Sequence, residues 1–531
     1  MEHGPWEIKL LGADRRVAAR AGQNLLAALA QAGVPIRSDC GGQGKCGKCQ
    51  VYLISDSGAG STEEVLACQT AMRANLVVEI PPRSLGYQAE VVAKPRLRRT
   101  DWPAPGRAAR GHGLALDLGT TTMAVFLCDL AENRVLATAV ARNPQAFWGA
   151  DVMSRITAVS QDQRNLERLQ VAAVSAAADL ARSLLGPLDL PAEDILEWVV
   201  VGNPTMIHLF LGTDPYSLGR SPFQPAFQET QKRLAVELGL PAGPSADLIT
   251  LPLVSGFVGA DIIAAALTHD LDRDSDGLLV MDIGTNGELM LAASGRLWAT
   301  SCATGPALEG AAISCGLPAV SGAIDRMSLG PNGPSYTTIQ RRPDKPVKPR
   351  GLCGSGIVSA VAALVKNGVL DPSGRFSRER AGVRLRRNQE GVEEFVLVRS
   401  EDTAVGQDIT LTQKDVRAVQ LAKGALYTGV RLLCRQAGLA RPGRVLLAGA
   451  FGSHLDIDDL LTIGLLPAET AGLVESVGNA AGEGAVLALM DREYLDRAEA
   501  MRRRTQVLEL AAHPDFQTTF LDSLAFPCPG L

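Results

Sequence analysis

Cys40, Cys46, Cys49 and Cys68 stand in the segments Ser38-Asp39-Cys40-Gly41-Gly42-Gln43-Gly44-Lys45-Cys46-Gly47-Lys48-Cys49 and Leu66-Ala67-Cys68-Gln69-Thr70. Three thiols in one glycine-rich loop, with a fourth after eighteen further residues, suit a [2Fe–2S] cluster, whose two irons take four thiolates. The first interval is one residue longer than the plant-type spacing and still closes a loop around a single cluster. Gly41, Gly42, Gly44 and Gly47 let backbone N–H groups turn inward to the sulfurs, where such donors help set the potential. A Cys₄ zinc site is the competing reading, but it uses two close pairs, and only Cys46 and Cys49 form one. Cys128, Cys302, Cys315, Cys353, Cys434 and Cys528 have no such grouping and are expected to be buried structural thiols.

A second chemistry recurs downstream. Asp117 ends the apolar run of Leu114-Ala115-Leu116-Asp117-Leu118-Gly119-Thr120-Thr121-Thr122, and Asp282 ends that of Leu279-Val280-Met281-Asp282-Ile283-Gly284-Thr285-Asn286-Gly287-Glu288. A glycine lets the backbone approach phosphate oxygens, and the N–H groups and hydroxyls that follow donate to them. The aspartate suits a hydrated Mg²⁺ that bridges the β- and γ-phosphates of ATP. A third segment, Leu446-Leu447-Ala448-Gly449-Ala450-Phe451-Gly452-Ser453-His454, leaves a strand through glycines that let the chain cover an adenosine. Cys302-Ala303-Thr304-Gly305-Pro306 reads as a turn into a helix that faces phosphate, with tight packing as the alternative. The same two readings apply to Gly351–Gly356, which precedes a helix expected to begin near Ile357. Gly202-Asn203-Pro204 reads as strand end and helix cap, part of a hinge. Asp261 and Glu288 are the candidate acids near the γ-phosphate. Their alternatives are a helix N-terminal residue for Asp261 and a surface strand residue for Glu288. No G-x-x-x-x-G-K-S/T motif is present, which excludes a Walker-type ATPase.

These residues need elements to hold them. Trp6–Leu11 and Arg16–Ala19 predict a hairpin, Asn24–Ala32 an amphipathic helix, and Gln50–Ile54 and Leu76–Ile80 strands. Residues 1–81 therefore form an α+β unit whose order resembles the β-grasp fold of ferredoxins. Residues 82–112 are rich in proline and arginine and read as a linker, or else as a docking strip for an acidic partner. From Gly113 the pattern is α/β, with helices over Asp162–Leu185, Ala360–Val365 and Gln413–Gln436. The two Asp-x-Gly-Thr segments lie 165 residues apart, too far for a solenoid and suited to a duplicated domain, so lobes are placed at 113–275 and 276–490. Residues 491–531 read as a charged helix, Asp491–Arg504, and a tail with no assigned role. The 531-residue chain carries a net charge of −5 and only 4% aromatics, which argues against a nucleic-acid partner. No signal peptide and no uninterrupted apolar run of about eighteen residues is seen. Reduced thiols, a cytoplasmic location and no membrane span are thus expected.

The two Asp-x-Gly-Thr segments with Gly449–Ser453 resemble the acetate and sugar kinase, Hsp70 and actin superfamily. That resemblance implies two similar domains that close on ATP like a clamp. Asp117, Gly119, Thr120, Thr121 and Thr122 then match the first phosphate loop. Asp282, Gly284, Thr285, Asn286 and Glu288 match the second, and Gly449, Gly452 and Ser453 the adenosine loop. ATP is not required for downhill electron flow. It is required where the acceptor lies lower in potential, and about 59 mV is a tenfold change for one electron. The joining of a cluster module to this ATPase resembles the reductive activators of corrinoid proteins, from about residue 6 to residue 490. The resemblance implies one-electron reduction of an inactive Co(II) corrinoid protein of a methyltransferase system to Co(I), coupled to ATP hydrolysis. It further implies an external low-potential electron donor and a homodimer. Three other functions stay open at this point: an activator of a 2-hydroxyacyl-CoA dehydratase, a small-molecule kinase with a redox-sensing domain, and a non-catalytic binding protein with an ATP-driven switch.

Overall fold

A computed structural model of the chain describes residues 6–11, 15–32, 34, 36, 42, 44, 47, 49–54, 62–81, 84, 90–92, 111–149, 151–274, 276–284, 286–310, 313–317, 319–331, 333–340, 347–452 and 455–527. It divides into two compact units, Met1–Ala264 with Gly482–Glu499, and Ala265–Ala481 with Ala500–Leu531.

The first unit opens with β1 (Trp6–Leu10), β2 (Arg15–Ala19), α1 (Leu25–Gln31), β3 (Gln50–Ile54), β4 (Thr62–Leu66) and β5 (Leu76–Glu79). The sheet order is β2-β1-β5-β3-β4, with β1 and β5 parallel and the other pairs antiparallel, a β-grasp. Ile8, Leu10, Val17 and Ala19 alternate inward along the hairpin and meet Leu25, Ala28 and Leu29 of α1, all buried. Thr62–Leu66 is an edge strand with an exposed, polar pattern, and no apolar alternation marks it in the sequence.

The rest of this unit is a seven-stranded sheet formed by β6 (Glu90–Val92), β7 (His112–Leu118), β8 (Thr122–Asp129), β9 (Arg134–Arg142), β10 (Ile195–Gly202), β11 (Lys232–Leu234) and β12 (Asp247–Thr250). Its order is β11-β12-β10-β7-β8-β9-β6. The strand Glu90–Val92 lies inside the stretch read as a linker; it pairs antiparallel with β9, Val91 opposite Ala139. The helices are α2 (Val152–Gln161), α3 (Arg164–Leu185), α4 (Pro204–Phe210) and α5 (Ala260–Leu267). Among the described residues, the stretch beginning with α3 is the one long and apolar enough to cross a membrane. It packs on β8, β9 and α4 with Leu169, Ala173, Leu180 and Leu184 buried, so its apolar face is a core face.

The second unit repeats the plan. Its sheet strands are β13 (Asp276–Ile283), β14 (Gly287–Ala293) and β15 (Arg296–Cys302). A small sheet follows, β16 (Ala323–Gly330), β17 (Gly333–Thr338) and β18 (Gly351–Leu352), then α6 (Gly354–Lys366) and the one-turn α7 (Arg378–Ala381). Next come β19 (Leu385–Arg387), β20 (Glu393–Val398), β21 (Ile409–Thr412), α8 (Gln413–Ala437), β22 (Arg444–Ala448), α9 (Gly449–Gly452), α10 (Ile457–Ile463) and β23 (Val474–Gly478). The chain ends through α11 (Ala480–Met490), α12 (Glu493–Arg504), β24 (Thr505–Val507) and α13 (Phe516–Asp522). The main order is β23-β22-β13-β14-β15-β24. In both units an antiparallel meander (β7-β8-β9, β13-β14-β15) is joined on its first strand by parallel strands (β10 and β12, β22 and β23).

Two expectations are corrected here, and the tail gains a place. The helix after Gly351 begins at Gly354, not near Ile357. A Cβ on Gly356 would meet the Ile324 carbonyl at 2.0 Å, so its first turn packs where only glycine fits. The charged helix read as Asp491–Arg504 begins at Glu493, after α11 has ended at Met490. The tail beyond it docks on α8. Phe526 is 1% exposed, its N–H donates to the Pro372 carbonyl at 2.8 Å, and Lys423 donates to Ala525 and lies 5.0 Å over the Phe526 ring.

Candidate functional site

Two of the four cluster cysteines lie within the described residues. Gln50 pairs with Leu66 where β3 meets β4, and the Ala67 N–H donates to the Cys49 carbonyl at 2.8 Å. Cys49 and Cys68 are thereby brought to one end of the sheet, both buried. Asn24, the N-cap of α1, accepts from the Ala27 N–H and donates to the Cys68 carbonyl. The loop lies against this corner, since a Cβ on Gly42 would stand 3.9 Å from the Cys68 Cβ. Gly42, Gly44 and Gly47 have φ of +86°, +74° and +67°, left-handed conformations that glycine adopts without strain. Two neighbouring thiols under a loop of left-handed glycines fit the donor set of a [2Fe–2S] cluster. Cys40 and Cys46 lie outside the described residues.

The remaining thiols do not compete for it. Cys128, Cys302, Cys353 and Cys434 are buried apart, Cys315 is only half-buried, and Cys528 lies outside the described residues. Burial pushes the thiols of Cys302 and Cys434 up to about 12 and raises that of Cys128 further, so each stays protonated.

In the first unit Asp117 is half-buried near the end of β7, and Gly119, Thr120 and Thr121 form the turn to β8. Thr122, expected in the loop, is the exposed first residue of β8 and pairs with Arg142. The turn is tight: a Cβ on Gly119 would meet the Thr122 carbonyl at 2.7 Å. Val201 and Gly202 of β10 lie in register with Asp117 and Leu118, and the chain then enters α4 through Asn203. Asn203 accepts from the Met206 N–H at 3.1 Å, as a cap, and donates to the Thr120 hydroxyl at 2.9 Å. The second bond makes Asn203 part of the loop, a role that the hinge reading missed. Asn-Pro after an apolar strand is a cap signal and says nothing of a partner 83 residues back. Asp261 joins the same corner in the first turn of α5. A Cβ on Gly259 would meet its carboxylate at 2.5 Å and the Asn203 Cα at 2.7 Å.

In the second unit Asp282 and Glu288 are cross-strand partners on β13 and β14. Glu288 is 4% exposed between β13 and β15, which overturns its reading as a surface strand residue. Gly284 and Asn286 shape the turn, with the Gly284 N–H donating to the Asn286 carbonyl at 3.2 Å; Thr285 lies outside the described residues. The Thr304 hydroxyl donates to the Gly284 carbonyl at 3.2 Å, which ties the Gly305 segment to this turn. Gly305 has φ +67° and leads into a single 3₁₀ turn, Pro306–Glu309, where a helix was expected. That turn carries an acid that sequence reasoning missed: a Cβ on Gly284 would stand 3.7 Å from the Glu309 carboxylate. Gly449 has φ +90° and lies so close to Asp282 that a Cβ would meet its carboxylate at 2.5 Å. Gly449–Gly452 is a one-turn helix at the end of β22; Ser453 lies outside the described residues. Each unit thus sets a half-buried aspartate beside a glycine turn, an arrangement suited to a hydrated cation and phosphate oxygens.

Comparison with known proteins accounts for nearly all of this chain. The model described as the 2Fe-2S iron-sulfur cluster binding domain matches residues 8–73, that of the RACo middle region residues 112–274, and that of the C-terminal domain of RACo, the ASKHA domain, residues 276–531. The corrinoid activation enzyme RamQ of Eubacterium limosum is 31% identical over 94% of this chain and 95% of its own length. The reductase of a Co(II) methylated amine-specific corrinoid protein from Methanosarcina barkeri is 24% identical over 79% of this chain and 78% of its own. A solved reductive activator for a corrinoid, iron–sulfur protein superposes with a TM-score of 0.70 at 29% identity, covering 98% of each chain.

Proposed function

This chain belongs to the family of reductive activators of corrinoid proteins, and from that premise we propose that it reduces an inactive Co(II) corrinoid protein to Co(I), one electron at a time, with hydrolysis of ATP. One observation carries the reading: a buried thiol corner under left-handed glycines and two strand–Asp–turn elements occur in one chain, matched along 94% of its length by a corrinoid activation enzyme. Cys40, Cys46, Cys49 and Cys68 hold the cluster, which when bound supplies the electron. Asp117 and Asp282, each within its own unit, are assigned to hydrated Mg²⁺, and the turns at Gly119–Thr121 and Gly284–Asn286 to phosphate oxygens. Gly449, Gly452 and Ser453 cover the adenosine. Of the two candidate acids, Asp261 is half-exposed at the corner with Thr120 and is assigned the orientation of the attacking water. Glu288, buried opposite Asp282, steadies that strand end instead.

The substrate is the corrinoid protein of a methyltransferase system. An external low-potential donor recharges the protein between turnovers, in the cytoplasm, and the active form is a homodimer. Free energy enters because cobalt lies below the donor in potential: each gap of about 59 mV is a factor of ten against the transfer. The test is anaerobic absorption spectroscopy of a Co(II) corrinoid protein mixed with this protein and a low-potential reductant. ATP is expected to convert the Co(II) band to that of Co(I). Equal yield and rate with ATP withheld would overturn the coupling.

A further inference from the structure

Arg155, in the first turns of α2, has no exposed surface. Its Nη2 donates to the Thr120 carbonyl at 2.6 Å, its Nη1 to the Gln145 side-chain oxygen at 3.1 Å, and its Nε to the Gly149 carbonyl at 3.0 Å. Nη1 also lies 2.9 Å from the Met206 sulfur. All these partners are neutral, and among the described residues no carboxylate forms an ion pair with it. Asp151, the acid whose charge acts on it, is engaged at the α2 N-terminus, where its carboxylate accepts from the Ser154 N–H at 2.8 Å. A buried cation without a paired anion is costly, and an anion brought nearby offsets that cost.

What Arg155 holds is the backbone of the first turn. A trans peptide points its C=O and its N–H in opposite directions. Arg155 draws the Thr120 carbonyl to one side, and so turns the Thr121 N–H to the other. Asn143, 1% exposed, does the same one peptide earlier: its amide donates to the Gly119 carbonyl at 2.9 Å, which directs the Thr120 N–H away from it. The Asn143 N–H also holds the Thr121 carbonyl at 2.8 Å. Three successive carbonyls are thus tied to Asn143 and Arg155, which fixes the peptides of a turn suited to phosphate oxygens.

We propose that Arg155 is a positioning residue for nucleotide phosphate: with Asn143 it fixes the peptides of the Gly119–Thr121 turn, and its unpaired charge favours an anion bound to that turn. The inference rests on the ATP reading above. Burial pulls the guanidinium down to about 9, still high enough to keep it charged at neutral pH.

The test uses the full-length, cluster-loaded protein and measures the dissociation constants of ATP, ADP and adenosine. Arg155→Gln keeps a hydrogen-bonding side chain without the charge, and Arg155→Lys keeps the charge without the fork. Far-ultraviolet circular dichroism and the melting temperature serve as the check of folding. Arg155→Gln is expected to weaken ATP by about ten- to a hundredfold, with ADP weakened and adenosine unchanged. Arg155→Lys should fall between it and the natural protein. If Arg155→Gln does not fold, the Lys variant decides, by a loss of ATP affinity that spares adenosine. Equal losses for ATP and adenosine would reduce Arg155 to a structural role, and no loss would remove it from the site; either result overturns the proposal. Failure of the natural protein to bind ATP would instead count against the ATP reading itself.

Discussion

Gly449 and Asp282 show how one missing side chain shapes the nucleotide site. Gly449 combines a left-handed φ of +90° with an approach that would put a Cβ 2.5 Å from the Asp282 carboxylate. Gly449→Ala therefore does two things. It costs about 1–2 kcal/mol in backbone strain, and it pushes the carboxylate from the place where the proposed Mg²⁺ is held. A control separates the two effects. Gly438 ends α8 with φ +73° and nothing within 4 Å of its Cβ direction, so Gly438→Ala carries the strain alone. Both variants are expected to melt lower, Gly449→Ala at least as much as Gly438→Ala, while only Gly449→Ala loses ATP hydrolysis, by roughly tenfold or more. Parallel melting curves and ATPase assays decide it; equal ATPase in the two variants would show that Gly449 matters for folding alone. Sequence alone showed the glycine and the aspartate but not their contact, since 167 residues separate them.

Among the elements, α4 carries a test in its histidine. His208 is fully buried, its ring stacked 4.5 Å from Phe227 at 7°. Its Nδ1 donates to the Pro204 carbonyl at 2.7 Å, which leaves Nε2 to accept the Ala226 N–H at 3.0 Å. The neutral ring thus pins the segment around Pro225 and Phe227 to α4, and a second proton would remove the acceptor. Burial holds the imidazole below its ordinary 6.5. The unfolded chain therefore binds the proton more readily, so this stabilisation is full above about pH 6.5 and is lost as the pH falls below it. Melting temperatures measured from about pH 8 to pH 5 should drop on the acid side, and His208→Gln should flatten that slope. An unchanged slope in the variant would assign the acid loss to other groups. The legibility of the elements followed their burial. The helix read as Gln413–Gln436 is Gln413–Ala437, because a buried stripe imposes its period on the sequence. The strands that carry Asp117 and Asp282 read clearly as apolar runs for the same reason. Thr62–Leu66 and Glu90–Val92 did not, because sheet-edge strands are recruited by pairing and need no apolar pattern. The surface alternative for Glu288 fails because pairing on both sides buries β14, which its own residue type does not announce. Arg155 and Asn143 carry no motif at all. Their relation to Thr120 exists only once β9 has paired with β8 and returned the chain to the turn.

For the whole molecule, the two chemistries rest on separate elements. The described cluster cysteines belong to a five-stranded sheet with its own core, and Asp282 belongs to a sheet of the other unit. A defect in either should leave the other's local chemistry intact and still stop the combined reaction. Cys68→Ala removes a buried thiol beside Cys49, and is expected to abolish the cluster's absorption and paramagnetic signals while ATP is still bound and hydrolysed. Asp282→Asn keeps the shape but removes the charge proposed to hold the cation. It should retain a cluster reducible by dithionite and lose roughly a hundredfold in ATP hydrolysis. Neither variant alone should restore Co(I), since one has no electron to give and the other no driving force. Mixing them is informative as well. If one polypeptide must supply both functions, an equimolar mixture stays inactive; if electrons pass between copies, activity returns. Recovery of Co(I) by Asp282→Asn alone, with ATP hydrolysis absent, would mean that the cluster's potential suffices, and the ATPase would then serve some step other than uphill transfer.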